Sequence, residues 1–144
     1  MLENLVFLTT TDTTIGFVSQ NSTKLDRIKN RPPHKKYIKA INSLKTLKQH
    51  TRVPNKFKNQ IRRQNKVTFI LPNGNSYRVI KEKKHLQLLD RLKWAYTTSA
   101  NLSGREYDEE FAIKSADVII YPLNQSNKSS TIYKINNIQI KRIR

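Results

Sequence analysis

Five short polar stretches carry residue types that bind or activate a ligand, and each falls where an apolar run stops. Thr98-Ser99-Ala100-Asn101, leading into Leu102-Ser103-Gly104, sets hydroxyl and amide groups of little bulk at a strand-to-loop transition, where a ligand can approach the backbone closely. Thr9 to Thr14 is a run of hydroxyls broken only by Asp12, suited to a small polar molecule and equally to an ordinary strand. Lys29-Asn30-Arg31-Pro32, with Lys35-Lys36 following, offers a point charge and a bidentate fork two residues apart, a pairing that can grip phosphate. Arg78 lies in Ser76-Tyr77-Arg78-Val79-Ile80 and shares a strand face with Ser76 and Ile80. Such an arginine needs a partner, either a carboxylate ligand or an internal acid. Ser129-Ser130-Thr131 and the cationic pair Arg142 and Arg144 complete the set.

Several familiar chemistries find little support in the sequence. Gly16, Gly74 and Gly104 are the only glycines, and none stands in the spacing of a Walker or dinucleotide phosphate loop. Any nucleotide must therefore be gripped by side chains. No Ser-His-Asp pattern has a convincing local context, and no pair of acids falls at a predicted site for hydrolysis. Cysteine is absent, and His34, His50 and His85 are scattered, so no protein-held transition metal is expected.

The elements that must position these residues follow from periodicity and turn chemistry. Leu5 to Leu8 reads as a strand that returns, after the threonine turn, through Ile15 to Val18. Ser22 can cap a helix through Lys29, ended by Pro32-Pro33. Tyr37 to Ile41 alternates like a strand, Ser43 caps a second helix carrying Leu44 and Leu47, and Pro54 opens a third with Phe57 and Ile61 one turn apart. Lys66 to Leu71 and Ser76 to Ile80 form a hairpin across Asn73-Gly74. A helix over His85 to Lys93 leads into the strand that ends in the Thr98 to Asn101 tetrad. Asp108 caps a helix through Ser115. Asp117 to Tyr121, Thr131 to Ile135 and Ile138 to Ile143 read as strands, the last two joined by a two-residue turn at Asn136-Asn137. Eight or so strands interleaved with short helices predict a mixed α/β sheet in one domain, residues 1–144.

Composition agrees with a folded domain: Leu, Ile, Val and Phe number 39 of 144 residues, above the level of a disordered charged chain. The N-terminus lacks a signal-like leader and no stretch reaches the apolar length of a membrane span, so a cytoplasmic protein with no membrane partner is expected. The net charge of +18 is uneven: −2 over residues 1–23, +14 over 24–66 and +6 over 67–144. A polyanion is the natural partner of such a field.

Taken in order, Thr10-Thr11-Asp12-Thr13-Thr14-Ile15-Gly16-Phe17, Lys29-Asn30-Arg31-Pro32, Val67 to Leu71, Arg78, Thr98 to Gly104 and Ser130-Thr131-Ile132 resemble the YrdC-like family of threonylcarbamoyl-AMP synthases. The resemblance implies a twisted mixed sheet enclosing a positively charged cavity. It implies a nucleotidyl transfer in which threonine, bicarbonate and ATP with Mg2+ give threonylcarbamoyl-adenylate and pyrophosphate, for use by a downstream tRNA threonylcarbamoyl transferase. By motif, Lys29 and Arg31 would be catalytic and, with Lys35, Ser99, Asn101 and Arg144, would bind ATP. Thr13, Arg78, Thr97 and Ser130 would bind threonine, and the metal would have no protein ligand. The chain departs from the family pattern at Thr10, Ile15, Arg63 to Lys66, and Glu106-Tyr107. The contrasting readings are a noncatalytic module for double-stranded RNA or tRNA on the same scaffold, and a carbamoyl-transfer relative with another acceptor.

Overall fold

The Asn73-Gly74 turn shows how local chemistry starts the sheet. The computed structural model describes residues 1–32, 35–124 and 129–144. Within it, Gly74 takes a left-handed φ of 84° and its N–H donates to the Leu71 carbonyl at 2.8 Å. Strands β4 (Val67–Ile70) and β5 (Ser76–Val79) thereby return antiparallel, with Phe69 opposite Tyr77.

Helix starts are set by side chains that accept the orphaned backbone N–H groups. Asn21 caps α1 (Ser22–Lys29) by accepting from the Lys24 N–H at 3.1 Å, so the cap lies one residue before the expected Ser22. Ser43 caps α2 (Leu44–His50) through the Thr46 N–H, and Asp108 caps α5 (Glu109–Ser115) through the Glu110 N–H. Pro54 leads through a 3-10 turn (Asn55–Phe57) into α3 (Lys58–Arg63). Glu82 caps α4 (Lys83–Leu92), one carboxylate oxygen taking the Lys84 N–H and the other the His85 N–H. Pro33, read with Pro32 as the stop of the first helix, and His34 lie outside the described residues.

The remaining strands are β1 (Phe7–Thr10), β2 (Ile15–Ser19), β3 (Ile38–Ile41), β6 (Trp94–Ser99), β7 (Val118–Ile120), β8 (Thr131–Ile135) and β9 (Ile140–Arg142). All nine form one mixed sheet in the order β7-β1-β2-β6-β3-β5-β4-β8-β9. The pairs β1–β7, β3–β5 and β4–β8 are parallel, and the other five are antiparallel. Several boundaries differ from expectation, among them α4, which starts at Lys83 rather than His85, and two others have a clear local cause. The first strand starts at Phe7 and runs into Thr9 and Thr10, because β-branched threonine suits a pleated surface. The last turn spans four residues: Asn136 Oδ1 accepts from the Ile138 and Gln139 N–H groups, and Asn136 N–H donates to the Gln139 carbonyl. Ile138 thus falls in the turn, exposed.

Alternation buries both faces of the β1–β2 ribbon. Leu8 and Phe17 pack with Leu25 of α1 and Ala112 of α5, while Phe7 and Val18 pack with Leu88 and Leu89 of α4. A third cluster gathers Leu47, Phe57 and Ile61 over Phe69, Tyr77 and Ile135. Among the described residues, no helix is long and apolar enough to cross a membrane.

Candidate ligand cavity

Gly16 is the point at which the threonine turn and the Ser-Ala-Asn segment are brought together. It pairs with Ser99 across β2 and β6, and a Cβ there would sit 2.9 Å from the Thr98 carbonyl oxygen. Only glycine fits without a backbone shift. Preceding it, Thr11 closes a tight turn on itself: its hydroxyl accepts from the Thr13 and Thr14 N–H groups and donates to the Thr14 carbonyl at 2.6 Å. Thr11 and Thr13 are therefore held side by side, their hydroxyl oxygens 3.4 Å apart.

The tetrad is half strand. Thr98 and Ser99 finish β6, and the chain turns at Ala100 and Asn101. Lys29, at the end of α1, pins that turn from beneath. Its ammonium donates to the Ser99 and Asn101 carbonyls, both at 2.7 Å, and meets Asn101 Oδ1 at 3.4 Å. Its own carbonyl accepts from the Ser103 N–H at 3.1 Å. Burial, helped by neighbouring Arg31, lowers the Lys29 ammonium to about 8. Asn101 donates to the Leu102 and Arg105 carbonyls and accepts from the Ser99 hydroxyl.

Three arginines converge from separate elements. Arg31 donates to the Lys36 carbonyl at 3.0 Å and lies 4.4 Å over the Tyr37 ring. Arg144 donates twice to the Ser130 carbonyl, at 2.8 and 3.1 Å. Ser130 in turn meets the Thr68 hydroxyl at 2.8 Å, a contact made possible by the parallel pairing of β4 with β8. Arg78 differs from both. It is 4% exposed, its Nε is 3.6 Å from Asp12 Oδ1, and among the described residues its guanidinium makes no hydrogen bond. Its partner is thus an internal acid, one of the two alternatives set by the sequence. Burial raises the Asp12 carboxyl above its ordinary range despite Arg78.

These residues enclose a cavity of about 270 Å³, close to the lower end for small-molecule sites. Of the residues expected to bind ligands, Thr13, Arg31, Arg78, Thr97, Ser99, Ser130 and Arg144 line it. Lys36 adds a fourth cation, and no lining residue is acidic. Lys29 and Asn101 do not line the cavity but hold its Ser99 wall. Lys35 lies in a neighbouring groove, and Arg142 is exposed on β9. Sequence reasoning named Lys36 with the phosphate-gripping stretch but missed two further residues, Tyr37 and Asp12. Lys36 and Tyr37 follow the Lys29-x-Arg31 signal closely, whereas the role of Asp12 as the Arg78 partner had no local signal. His85, fully buried with neither ring nitrogen hydrogen-bonded among the described residues, was unforeseen too. Burial and the charge of Arg78 push its imidazole down to about 3.

Comparison with solved structures defines the class. The chain has the YrdC/Sua5-like fold: it superposes on Sua5 of P. abyssi with a TM-score of 0.79 at 16% identity, over 97% of this chain and 52% of that one. P. abyssi Sua5 complexed with L-threonine gives 0.78 at 17% identity, over 97% and 50%, and E. coli YciO 0.72 at 21%, over 97% and 82%. In sequence, it is similar to the uncharacterized protein MG259 homolog of Mycoplasma pneumoniae, 29% identical over 92% of this chain and 30% of that protein. The uncharacterized protein MG259 of Mycoplasma genitalium is 28% identical over 96% and 32%. The chain thus spans about a third of the length of these curated relatives, and no family model matches it.

Proposed function

We propose that the chain is an L-threonylcarbamoyladenylate synthase, making threonylcarbamoyl-AMP and pyrophosphate from threonine, bicarbonate and ATP for tRNA modification. The observation that carries this reading is Arg78, a buried guanidinium that lines a cavity with Thr13, Thr97 and Ser130 and, beyond its 3.6 Å ion pair with Asp12, makes no hydrogen bond among the described residues. A buried fork in that state is suited to a carboxylate, and the surrounding hydroxyls suit a small hydroxy amino acid. The solved complex of a like-folded protein with L-threonine supports the choice.

The threonine ammonium and bicarbonate would give the carbamate with loss of water and one proton. A carbamate oxygen then attacks the α-phosphorus and pyrophosphate leaves. That sequence needs alignment and charge neutralisation more than a dedicated base. Arg31 and Arg144, each anchored by a backbone carbonyl, would face the phosphates, with Lys36 beside them. Lys29 would act by holding the Ser99 to Asn101 wall for the nucleotide. Mg2+ would arrive with the triphosphate as part of the substrate, since the cavity lining offers hydroxyls and cations and no carboxylate. Pyrophosphate release that requires threonine, bicarbonate and ATP together tests the reading. No release from folded protein at high concentration would overturn it.

A further inference from the structure

A second pocket, of about 280 Å³, opens where the threonine turn meets the segments that lead into β4 and α4. Asp12, Asn65, Lys66, Lys81 and Glu82 line it, and none of the five lines the cavity described above. Asn65 and Lys66 belong to the Arg63 to Lys66 stretch, in which the chain departs from the family pattern. The synthase motifs leave this rim unexplained. Asp12 sets the pocket back to back with the cavity, since its Oδ1 lies 3.6 Å from Nε of Arg78, which lines the other side.

What each lining group lacks defines the ligand. Asp12 is 8% exposed, and its Oδ1 accepts no hydrogen bond among the described residues. A buried carboxylate in that state calls for a donor. Burial raises the Asp12 carboxyl, and a cationic donor would offset that penalty. Glu82 offers less, because its two oxygens already accept the Lys84 and His85 N–H groups at the start of α4. Lys66 and Lys81 are exposed. Among the described residues, which include all ten acids of the chain, neither lysine is in an ion pair.

The pocket thus presents a buried acceptor on one side and two unengaged ammoniums on the other, and the Asn65 amide can serve either sign. A lone anion would leave Asp12 unanswered, and a lone cation would leave the lysines so. A metal ion would meet two ammonium groups and, in Glu82, a carboxylate already engaged. A molecule that carries both an ammonium and a carboxylate satisfies the two sides at once.

We propose that this pocket is a second binding site, for a small zwitterion of the free amino acid class, with its ammonium on Asp12 and its carboxylate on Lys66 and Lys81. The inference stands on the pocket alone and is independent of the synthase reading.

Glycine is the probe, since it carries both charges and no side chain. Titrated at constant ionic strength into the isotope-labelled whole chain, it should shift the backbone amide NMR signals of Asn65, Lys66, Lys81 and Glu82 saturably. Acetate and methylammonium, each carrying one of the two charges, should bind there at least about tenfold more weakly, the loss of one charge-assisted contact. Lys66→Ala/Lys81→Ala should weaken glycine binding about tenfold, and Asp12→Asn should remove it. Asp12→Asn also unpairs Arg78, so the lysine variant, changed only at exposed positions, carries the test by itself. Unchanged glycine affinity in the lysine variant would overturn the proposal. Acetate or methylammonium binding as tightly as glycine would overturn it too, by marking a site that reads one charge. So would glycine signals that move only at Thr13, Thr97 and Ser130, which would place the probe in the cavity. Failure of the synthase reading changes none of these readouts.

Discussion

Asp12 and Arg78 face each other at 3.6 Å beside the ligand cavity, each less than one-tenth exposed. The acid comes from the threonine turn and the base from β5, so the pair ties the two sides of the proposed threonine site. Removing one member of a buried ion pair strands the other charge. Asp12→Ala is expected to lower stability by about 3–5 kcal/mol in urea unfolding, and stability equal to the parent chain would show that the contact carries no weight.

The cavity cations divide their ligands. ATP and threonine should each raise the unfolding midpoint of the parent chain. Arg78→Ala should abolish the threonine shift and keep the ATP shift, and Arg31→Ala should do the reverse. Loss of the ATP shift with Arg78→Ala alone would contradict the assigned roles.

His85 should make the fold acid-sensitive. Its ordinary value of 6.5 is lowered to about 3 by burial and by Arg78, so the unfolded chain takes up a proton that the folded chain refuses. Stability is lost as pH falls from about 6.5 toward 3, at up to about 1.4 kcal/mol per pH unit. Asp12, raised above 3.8 by burial, works in the opposite direction. The comparison with His85→Leu isolates the histidine: the variant should lose less stability than the parent between pH 6.5 and 4, measured by denaturant titration.

Lys29 acts on the alkaline side. Lowered from 10.5 to about 8 by burial and Arg31, it disfavours the charged form in the fold, so its penalty is full below pH 8 and relieved as pH rises toward 10.5. Relative to Lys29→Met, the parent chain should gain stability between pH 8 and 10. A constant difference across that range would count against the assignment.

Gly16→Ala tests the contact that joins the threonine turn to the tetrad. The new methyl would meet the Thr98 carbonyl at 2.9 Å, and relief requires a backbone movement costing about 1–3 kcal/mol. Because Thr98 and Ser99 line the cavity, the same substitution should weaken ATP binding, read as a smaller thermal shift at matched nucleotide concentration.

Local chemistry made much of the fold legible. Asn73-Gly74, Ser43 and Asp108 act over two to four residues, and each turns or caps the chain where its side chain and backbone preferences require. Boundaries shifted where two residues compete for one task, as when Asn21 rather than Ser22 accepts the Lys24 N–H, or when Asn136 folds a longer turn through its own carboxamide. Most of the cavity lining came through its motifs, but the engagement of the cations did not. Lys29 reads as a phosphate ligand until the Ser99 and Asn101 carbonyls are seen to occupy its ammonium. The Asp12 partner of Arg78 has no counterpart in spacing, because it depends on β3 and β6 placing β5 across the sheet from the β1–β2 turn.

The order of the sheet also bears on how the protein comes to have a cavity at all. Thr13 stands near one sheet edge and Ser130 and Arg144 near the other, and the strands between them join through the non-sequential pairs β2–β6, β3–β6, β3–β5 and β4–β8. Pairings of that kind pay their loop-closure entropy before they are rewarded, which places them late and makes them slow. Helices and the β4–β5 hairpin can form while the binding surface does not yet exist. The cavity is therefore a property of the completed sheet, and no fragment that stops short of β8 can hold the proposed substrate between Arg78 and Ser130.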